Sequence, residues 1–405
     1  MRISFLLAIW MAAAAAALAA DYFPPPDSKG GWRNLSDAAG IERLTGISRP
    51  KLDEAFRYVE QTTKNGGLLV VRNGYLVYER YFGQASRETA PNSGSCGKSI
   101  TSIAMGILMG ERPQLFPRGL DEKVFTRKYL PQAFPLSDPE MAGITLGQLL
   151  AMTAGIRGNN PGYVNGVKVT LDPAGPDGWL AMKDEMALGH QDGPLHTKTL
   201  WVRPGGGYSY STSSIHIVSI ILRNLTGREM QQYVEEKLAR PLGWGRWAFA
   251  YKDRPLTHTP GGGGAALRAT DMMRFAYLLL REGKWNNKQI VPAGYVRHCG
   301  RLSPFNPHFP YSLQFDVNAG GQVPAAPRDA YWKSGSGGHA FYIVPSLDLI
   351  VWKLGGRDEQ YDSRNTGLPE PPGPKDTRPG FRATIESNEA LLRTLELVSA
   401  AVLRK

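Results

Sequence analysis

The stretch Ser95-Cys96-Gly97-Lys98, followed by Ser99-Ile100-Thr101-Ser102-Ile103-Ala104-Met105-Gly106-Ile107-Leu108, decides how this chain is read. The second part is apolar enough to predict a buried helix, with Ser95 at its N-terminus. Residues three apart share a helix face, so the Ser95 hydroxyl and the Lys98 amine are expected one turn apart. A serine hydroxyl is a poor nucleophile until a neighbouring base takes its proton, and a lysine desolvated in a packed site has a lowered pKa and can serve. The spacing points to covalent acyl chemistry. A Ser-x-x-Lys match is weak alone, and the chain carries a second one at Ser48-Arg49-Pro50-Lys51. There Pro50 and Leu52-Asp53-Glu54-Ala55-Phe56 read as a helix start, so Ser48 is assigned as an N-cap instead.

Two later segments support Ser95. Pro204-Gly205-Gly206-Gly207-Tyr208-Ser209-Tyr210-Ser211-Thr212 sets a hydroxyl residue two positions after a tyrosine, ahead of the apolar run from Ile215 to Leu222. Tyr331-Trp332-Lys333-Ser334-Gly335-Ser336-Gly337-Gly338-His339 places a lysine before a small hydroxyl residue and a glycine. Together the three segments resemble the signatures of the penicillin-recognising serine hydrolases: serine β-lactamases (class C among them), D-Ala-D-Ala carboxypeptidases, and related esterases and amidases. The resemblance runs as an ordered series from about residue 50 to 355. Within it, Gly67 to Tyr78 looks like the family's early hairpin, turned at Asn73-Gly74. The segment from Ile144 to Ile156 is similar to the family's central helix and following turn.

The resemblance implies an α/β (α+β) fold of the β-lactamase/transpeptidase type: an antiparallel sheet flanked by helices, with an inserted, mostly helical lobe. Residues 21–113 and 265–405 are assigned to the α/β lobe and 114–264 to the helical lobe. Helices are expected over Pro50–Thr62, Thr145–Met152, Arg228–Leu238, Asp271–Glu282 (capped by Thr270 and stopped by Gly283) and Ile385–Leu403. Strands are expected over Tyr311–Val317, Tyr331–Gly335, His339–Val344 and Leu347–Leu354, with a turn at Pro345-Ser346. The Pro-rich, charged stretch 357–382 reads as a loop that either rims the pocket or hangs free. Pro260-Gly261-Gly262-Gly263-Gly264 lacks the Lys-Ser/Thr of a phosphate loop and reads as a crossing between lobes.

With 405 residues and 42% hydrophobic content, the chain is long enough to bury a substantial core. Arg2, the apolar run Ile3–Leu18 and the small residues of Ala17-Leu18-Ala19 read as a secretory signal peptide over residues 1–20. No later run is continuously apolar for ~20 residues, so no stable membrane anchor is expected. Export to the periplasm or the extracellular space follows. The formal net charge is +11, but the basic residues are scattered and do not alternate with aromatics, so nucleic acid is not an expected partner. The two cysteines, Cys96 and Cys299, form no disulfide framework. Cys96 is expected to be a small packing residue, with a bridge to Cys299 as the minor alternative.

Ser95 is the candidate nucleophile, and its N–H at a helix N-terminus can donate to an oxyanion. Lys98 would accept or relay its proton. Tyr210 is the candidate second base, since two flanking ammonium groups, from Lys98 and Lys333, favour a phenolate. Tyr163-Val164-Asn165 is a rival Tyr-x-Asn match, placed second because it sits in a loop context. By resemblance, Lys333 and Ser334 would meet a substrate carboxylate, Gly335 would let the substrate backbone approach, and the Ser336 N–H would be the second oxyanion donor. Thr212 stands where the family pattern has Asn; a hydroxyl is shorter than a carboxamide, which turns the reading away from β-lactams. Ser93-Gly94-Ser95-Cys96-Gly97 lacks the first glycine and the leading strand of a nucleophile elbow. His190, His196, His298 and Cys299 lack metal-site spacing, so neither metal nor cofactor is expected. The sequence thus predicts a secreted serine hydrolase acting on an ester or amide of a small molecule or peptide, one bearing a carboxylate. D-Ala-D-Ala carboxypeptidase or β-lactamase activity is the alternative within the class, and an idle homologue binding an envelope ligand the alternative outside it.

Overall fold

The computed structural model describes residues 22–191, 198–251, 254–369 and 376–403; the expected signal peptide lies outside them. Helix α1 (Arg49–Glu60) leads into strands β1 (Gly66–Arg72) and β2 (Tyr75–Phe82). Asn73 and Gly74 join the strands with φ of 51° and 74°, as a two-residue hairpin turn that follows the twist of its strands requires. Helix α2 (Cys96–Glu111) follows, then α3 (Leu146–Ala151), α4 (Thr212–Thr226) and α5 (Ala269–Leu280). The chain closes with β3 (Asp316–Val317), β4 (Tyr331–Gly335), β5 (His339–Val344), β6 (Leu349–Leu354) and helix α6 (Ser387–Ala400).

The six strands form one sheet in the order β2-β1-β6-β5-β4-β3. Every pairing is antiparallel, with Val70 opposite Val351 and Lys333 opposite Phe341. The N-terminal hairpin therefore completes a sheet whose other strands come from the end of the chain. Both faces of the sheet are covered. Side chains alternate across a strand, so Leu69, Val71, Phe341 and Trp352 join a core with α2, α4 and α5. Leu68, Val70, Tyr342 and Val351 join a second core with α1 and α6.

Helix α2 explains the apolar run. It packs between the sheet and α4, and every residue from Cys96 to Leu108 is buried, as expected for a helix apolar on all sides. That position forces Lys98 into the interior. The run Ile215–Leu222 belongs to the four-turn helix α4, which the Ser211 hydroxyl caps by accepting from Ser214 N at 3.3 Å.

Several boundaries differ from expectation. The N-cap of α5 is Arg268, because the Thr270 hydroxyl lies inside the helix and donates to Asp27 at 2.9 Å. Ser48 occupies the N-cap of α1 without a capping bond from its side chain. The expected strand Tyr311–Val317 keeps only its last two residues, since Gln314 has φ of 71° and Ser312 N donates to Phe315 O at 2.8 Å, folding 311–316 into a tight turn. Cys96 and Cys299 are both buried free thiols. No described helix is long and apolar enough to cross a membrane.

Candidate active site

The first turn of α2 opens into a cleft of about 550 Å³. Ser95, Lys98, Tyr210, Thr212, Gly262 and Ser336 lie on its lining, brought there from four separate parts of the chain. Ser95 is the N-cap of α2, with a helical backbone (φ −66°, ψ −6°), and its hydroxyl makes no capping bond. It accepts instead from Lys98 Nζ at 3.0 Å.

Lys98 is 2% exposed. Burial drives its pKa down, and the Lys333 charge pushes the same way, while Tyr210 and Asp177 partly restore it. The ammonium also donates to the Gly262 carbonyl. That carbonyl belongs to the glycine tract read as a lobe crossing, which thus forms part of the cleft floor. Gly264 N donates to Gly94 O at 3.0 Å, tying the tract to the nucleophile turn.

The glycine tract is held from behind by α4. Gly261 N donates to His216 Nδ1 at 3.2 Å, so His216 carries its proton on Nε2 and gives it to Asp184 Oδ1 at 3.0 Å. Asp184 also pairs with Arg223. Burial opposes the Asp184 charge, but His216 and Arg223 outweigh it and hold the carboxyl at about 2. His216 and Asp184 therefore fix the Pro260–Gly261 peptide at the head of the tract whose Gly262 carbonyl meets Lys98.

Tyr210 ends the segment entering α4. Lys333 Nζ donates to its hydroxyl at 3.1 Å and stands 4.7 Å from its ring centroid, with Lys98 Nζ at 5.3 Å from the same ring. Burial alone would raise the phenol pKa; the two ammonium groups and a hydrogen bond with Ser95 outweigh it and bring it below its ordinary value. Tyr163, the rival, sits instead in a short hairpin, its ring 4.6 Å from that of Phe309 and off the cleft lining.

Lys333 is placed differently from its expected carboxylate-binding role. It is 1% exposed and absent from the cleft lining. Its ammonium donates to Tyr311 at 2.6 Å as well as to Tyr210, which makes it a buried electrostatic partner of two phenols. Tyr311 accepts that bond and donates its own O–H to Gln314 Oε1 at 3.0 Å. No sequence pattern marked Tyr311, because the turn at 311–316 delivers it.

Beyond Lys333, β4 presses against the nucleophile turn. A Cβ on Gly335 would lie 2.0 Å from Ser93 O and 3.1 Å from Ser95 N, so the protein's own backbone requires glycine there. A Cβ on Gly94 would in turn lie 2.8 Å from Ser336 N. The Ser95 and Ser336 amides thus lie close together, and neither N–H is taken up by a turn or cap bond among the described residues. Two such donors suit a developing oxyanion. Ser334 is half-buried and off the lining. Thr212, the first residue of α4, does face the cleft.

Part of the 357–382 stretch rims the cleft: Arg357, Glu359, Gln360 and Asn365 line it. Gln360 Nε2 donates to Asn92 O at 2.8 Å and Ser336 O at 3.0 Å, clamping the turn before Ser95 to the end of β4. Residues 370–375 of this stretch lie outside the described residues. Among the described residues, no three His, Cys, Asp or Glu side chains are grouped to hold a metal ion.

A family model described as Beta-lactamase matches residues 52–365. A Bacillus subtilis (strain 168) protein named as a penicillin-binding protein, PbpX, is 27% identical over 258 residues, 56% of this chain and 57% of its own length. The chain spans little more than half the length of that curated relative. Among solved structures, EstCE1, described as a hydrolase with promiscuous acyltransferase activity, is similar with a TM-score of 0.59 at 17% identity, covering 86% of this chain and 98% of its own. A penicillin-binding protein homologue from Caulobacter crescentus is similar with a TM-score of 0.59 at 13% identity, covering 88% and 99%. These likenesses are of fold.

Proposed function

This chain belongs to the beta-lactamase family, and from that premise we propose that it is an exported serine hydrolase that cleaves an ester or amide through an acyl-enzyme on Ser95. The observation that carries the reading is the buried pair itself, Lys98 Nζ at 3.0 Å from Ser95 Oγ with Tyr210 beside them. Ser95 Oγ attacks the substrate carbonyl carbon while its proton passes to the Lys98–Tyr210 pair, which titrates as a unit. The carbonyl oxygen becomes an oxyanion facing the Ser95 and Ser336 N–H groups. Collapse breaks the bond to the leaving oxygen or nitrogen, which takes the stored proton. Water then repeats the sequence in reverse roles and frees Ser95 and the carboxylic acid.

The substrate is a small molecule or peptide met in the periplasm or outside the cell. Thr212 at the cleft lining supports esters and simple amides over β-lactams, because its hydroxyl reaches less far than a carboxamide. Intact-mass measurement across esters, amides, D-Ala-D-Ala peptides and β-lactams tests the reading: an acyl adduct is expected on the native chain and none on Ser95→Ala. Equal labelling of Ser95→Ala would sink the assignment.

A further inference from the structure

The burial of Lys333 leaves the cleft without its expected anion partner, and the side chains lining it supply another. Among the described residues, three cations line the cleft: Lys98, Arg254 and Arg357. Lys98 is committed to Ser95 and Gly262. Arg357 is paired with Glu359 at 2.7 Å. Arg254 has no acidic partner among the described residues; its guanidinium donates to the neutral Asn365 Oδ1 at 2.7 Å. Of the acids on the lining, Glu359 is paired with Arg357, and Asp177 acts on Lys98.

A neutral partner orients a guanidinium without cancelling its charge, and here the orientation is tied to the nucleophile. Asn365 Nδ2 donates to Glu359 O at 2.7 Å, and Asn365 O accepts from Asn92 Nδ2 at 3.0 Å. Asn92 Oδ1 in turn accepts from Gly94 N, the residue before Ser95, at 2.9 Å. The chain Arg254–Asn365–Asn92–Gly94 thus runs from the open cation to the reacting serine. We propose that Arg254, held by Asn365, is the specificity determinant of the cleft and binds a carboxylate on the substrate. The planar fork of arginine suits bidentate carboxylate recognition. This inference rests on the serine hydrolase reading above and deepens it to carboxylate-bearing esters and amides.

The test compares p-nitrophenyl butyrate with two carboxylated esters, p-nitrophenyl hydrogen glutarate and 3-butyryloxybenzoate, which carry the charge in the acyl and leaving groups respectively. For at least one of them, the carboxylated-to-neutral ratio of kcat/KM should fall about tenfold in Arg254→Met, mainly through KM, as expected for a partly solvated charge-assisted bond. Arg254→Lys should recover part of the ratio, and added salt should narrow it in the native chain. An unchanged ratio for both esters overturns the subsite. Continued turnover of the neutral ester would then show that Ser95 chemistry stands and that the subsite alone has failed. Binding of 3-butyramidobenzoate (carboxylate on the leaving side) and of glutaranilate (carboxylate on the acyl side), each against butyranilide, to Ser95→Ala reads the subsite without turnover, and equal affinities for all three also overturn it.

Discussion

Replacing Lys333 by Met removes the cation that donates to the Tyr210 hydroxyl at 3.1 Å and keeps the residue's length and burial. Two unit charges at about 4 Å interact by roughly 4 kcal/mol at an effective dielectric near 20, or about three pKa units at 1.36 kcal/mol each. Sharing of the ammonium with Tyr311 and the presence of Lys98 make that figure an upper bound, and the Tyr210 titration is expected to rise. Tyr210 acts as a base in its ionised form, which exists above its pKa. Raising that pKa moves the acidic limb of the kcat/KM profile to higher pH and lowers the rate near neutrality by up to about a thousandfold. The limb belongs to the Lys98–Tyr210 pair, so it is read as one macroscopic value. The assay is p-nitrophenyl ester hydrolysis from pH 5 to about 10, with Lys333→Arg as the variant that keeps the charge. A limb that stays in place in Lys333→Met, with thermal stability retained, would refute the electrostatic role of Lys333.

Tyr311→Phe should act with the opposite sign: the Lys333 ammonium loses its second acceptor, Tyr210 receives more of its charge, and the acidic limb moves to lower pH by under about one unit. Gly335→Ala should cost at least about a hundredfold in acylation rate, with about 1–3 kcal/mol of stability, because its Cβ meets Ser93 O at 2.0 Å; pre-steady-state release of p-nitrophenol and a melting curve separate the two effects. Asp184→Asn should lower stability by about 2 kcal/mol at neutral pH, since the native carboxyl is held at about 2 against an ordinary 3.8. That contribution is present above the unfolded pKa and disappears as pH falls through about 2, so urea midpoints of the two proteins should converge at the acid end.

Local signals settled much of this molecule. The Asn73-Gly74 pair between two apolar runs specifies the first hairpin, and the apolar run after Ser95 specifies a buried helix with Ser95 and Lys98 one turn apart. Tyr210 and Lys333 were legible because each sits in a short pattern beside a helix start or a strand end. The stretch Tyr311–Val317 reads as a strand because Tyr311, Leu313, Phe315 and Val317 alternate, and all four are indeed buried. The turn closed by Ser312 and Phe315 buries them by another route and so delivers Tyr311 to Lys333.

What the sequence by itself determined, then, is which residues are the candidates for the chemistry and which helix and strands present them. Only the tertiary structure decided what each charge faces. Lys98 meets a carbonyl 164 residues away at Gly262, and Lys333 meets Tyr210 across 123 residues and is sealed from the cleft. Arg254, unremarkable in the sequence, is left in the cleft, where among the described residues its side-chain partner is the neutral Asn365, 111 residues away. The physical reason is that a charged group's role depends on its desolvation and on the partners within a few ångströms. Those partners come from chain segments that no local pattern links.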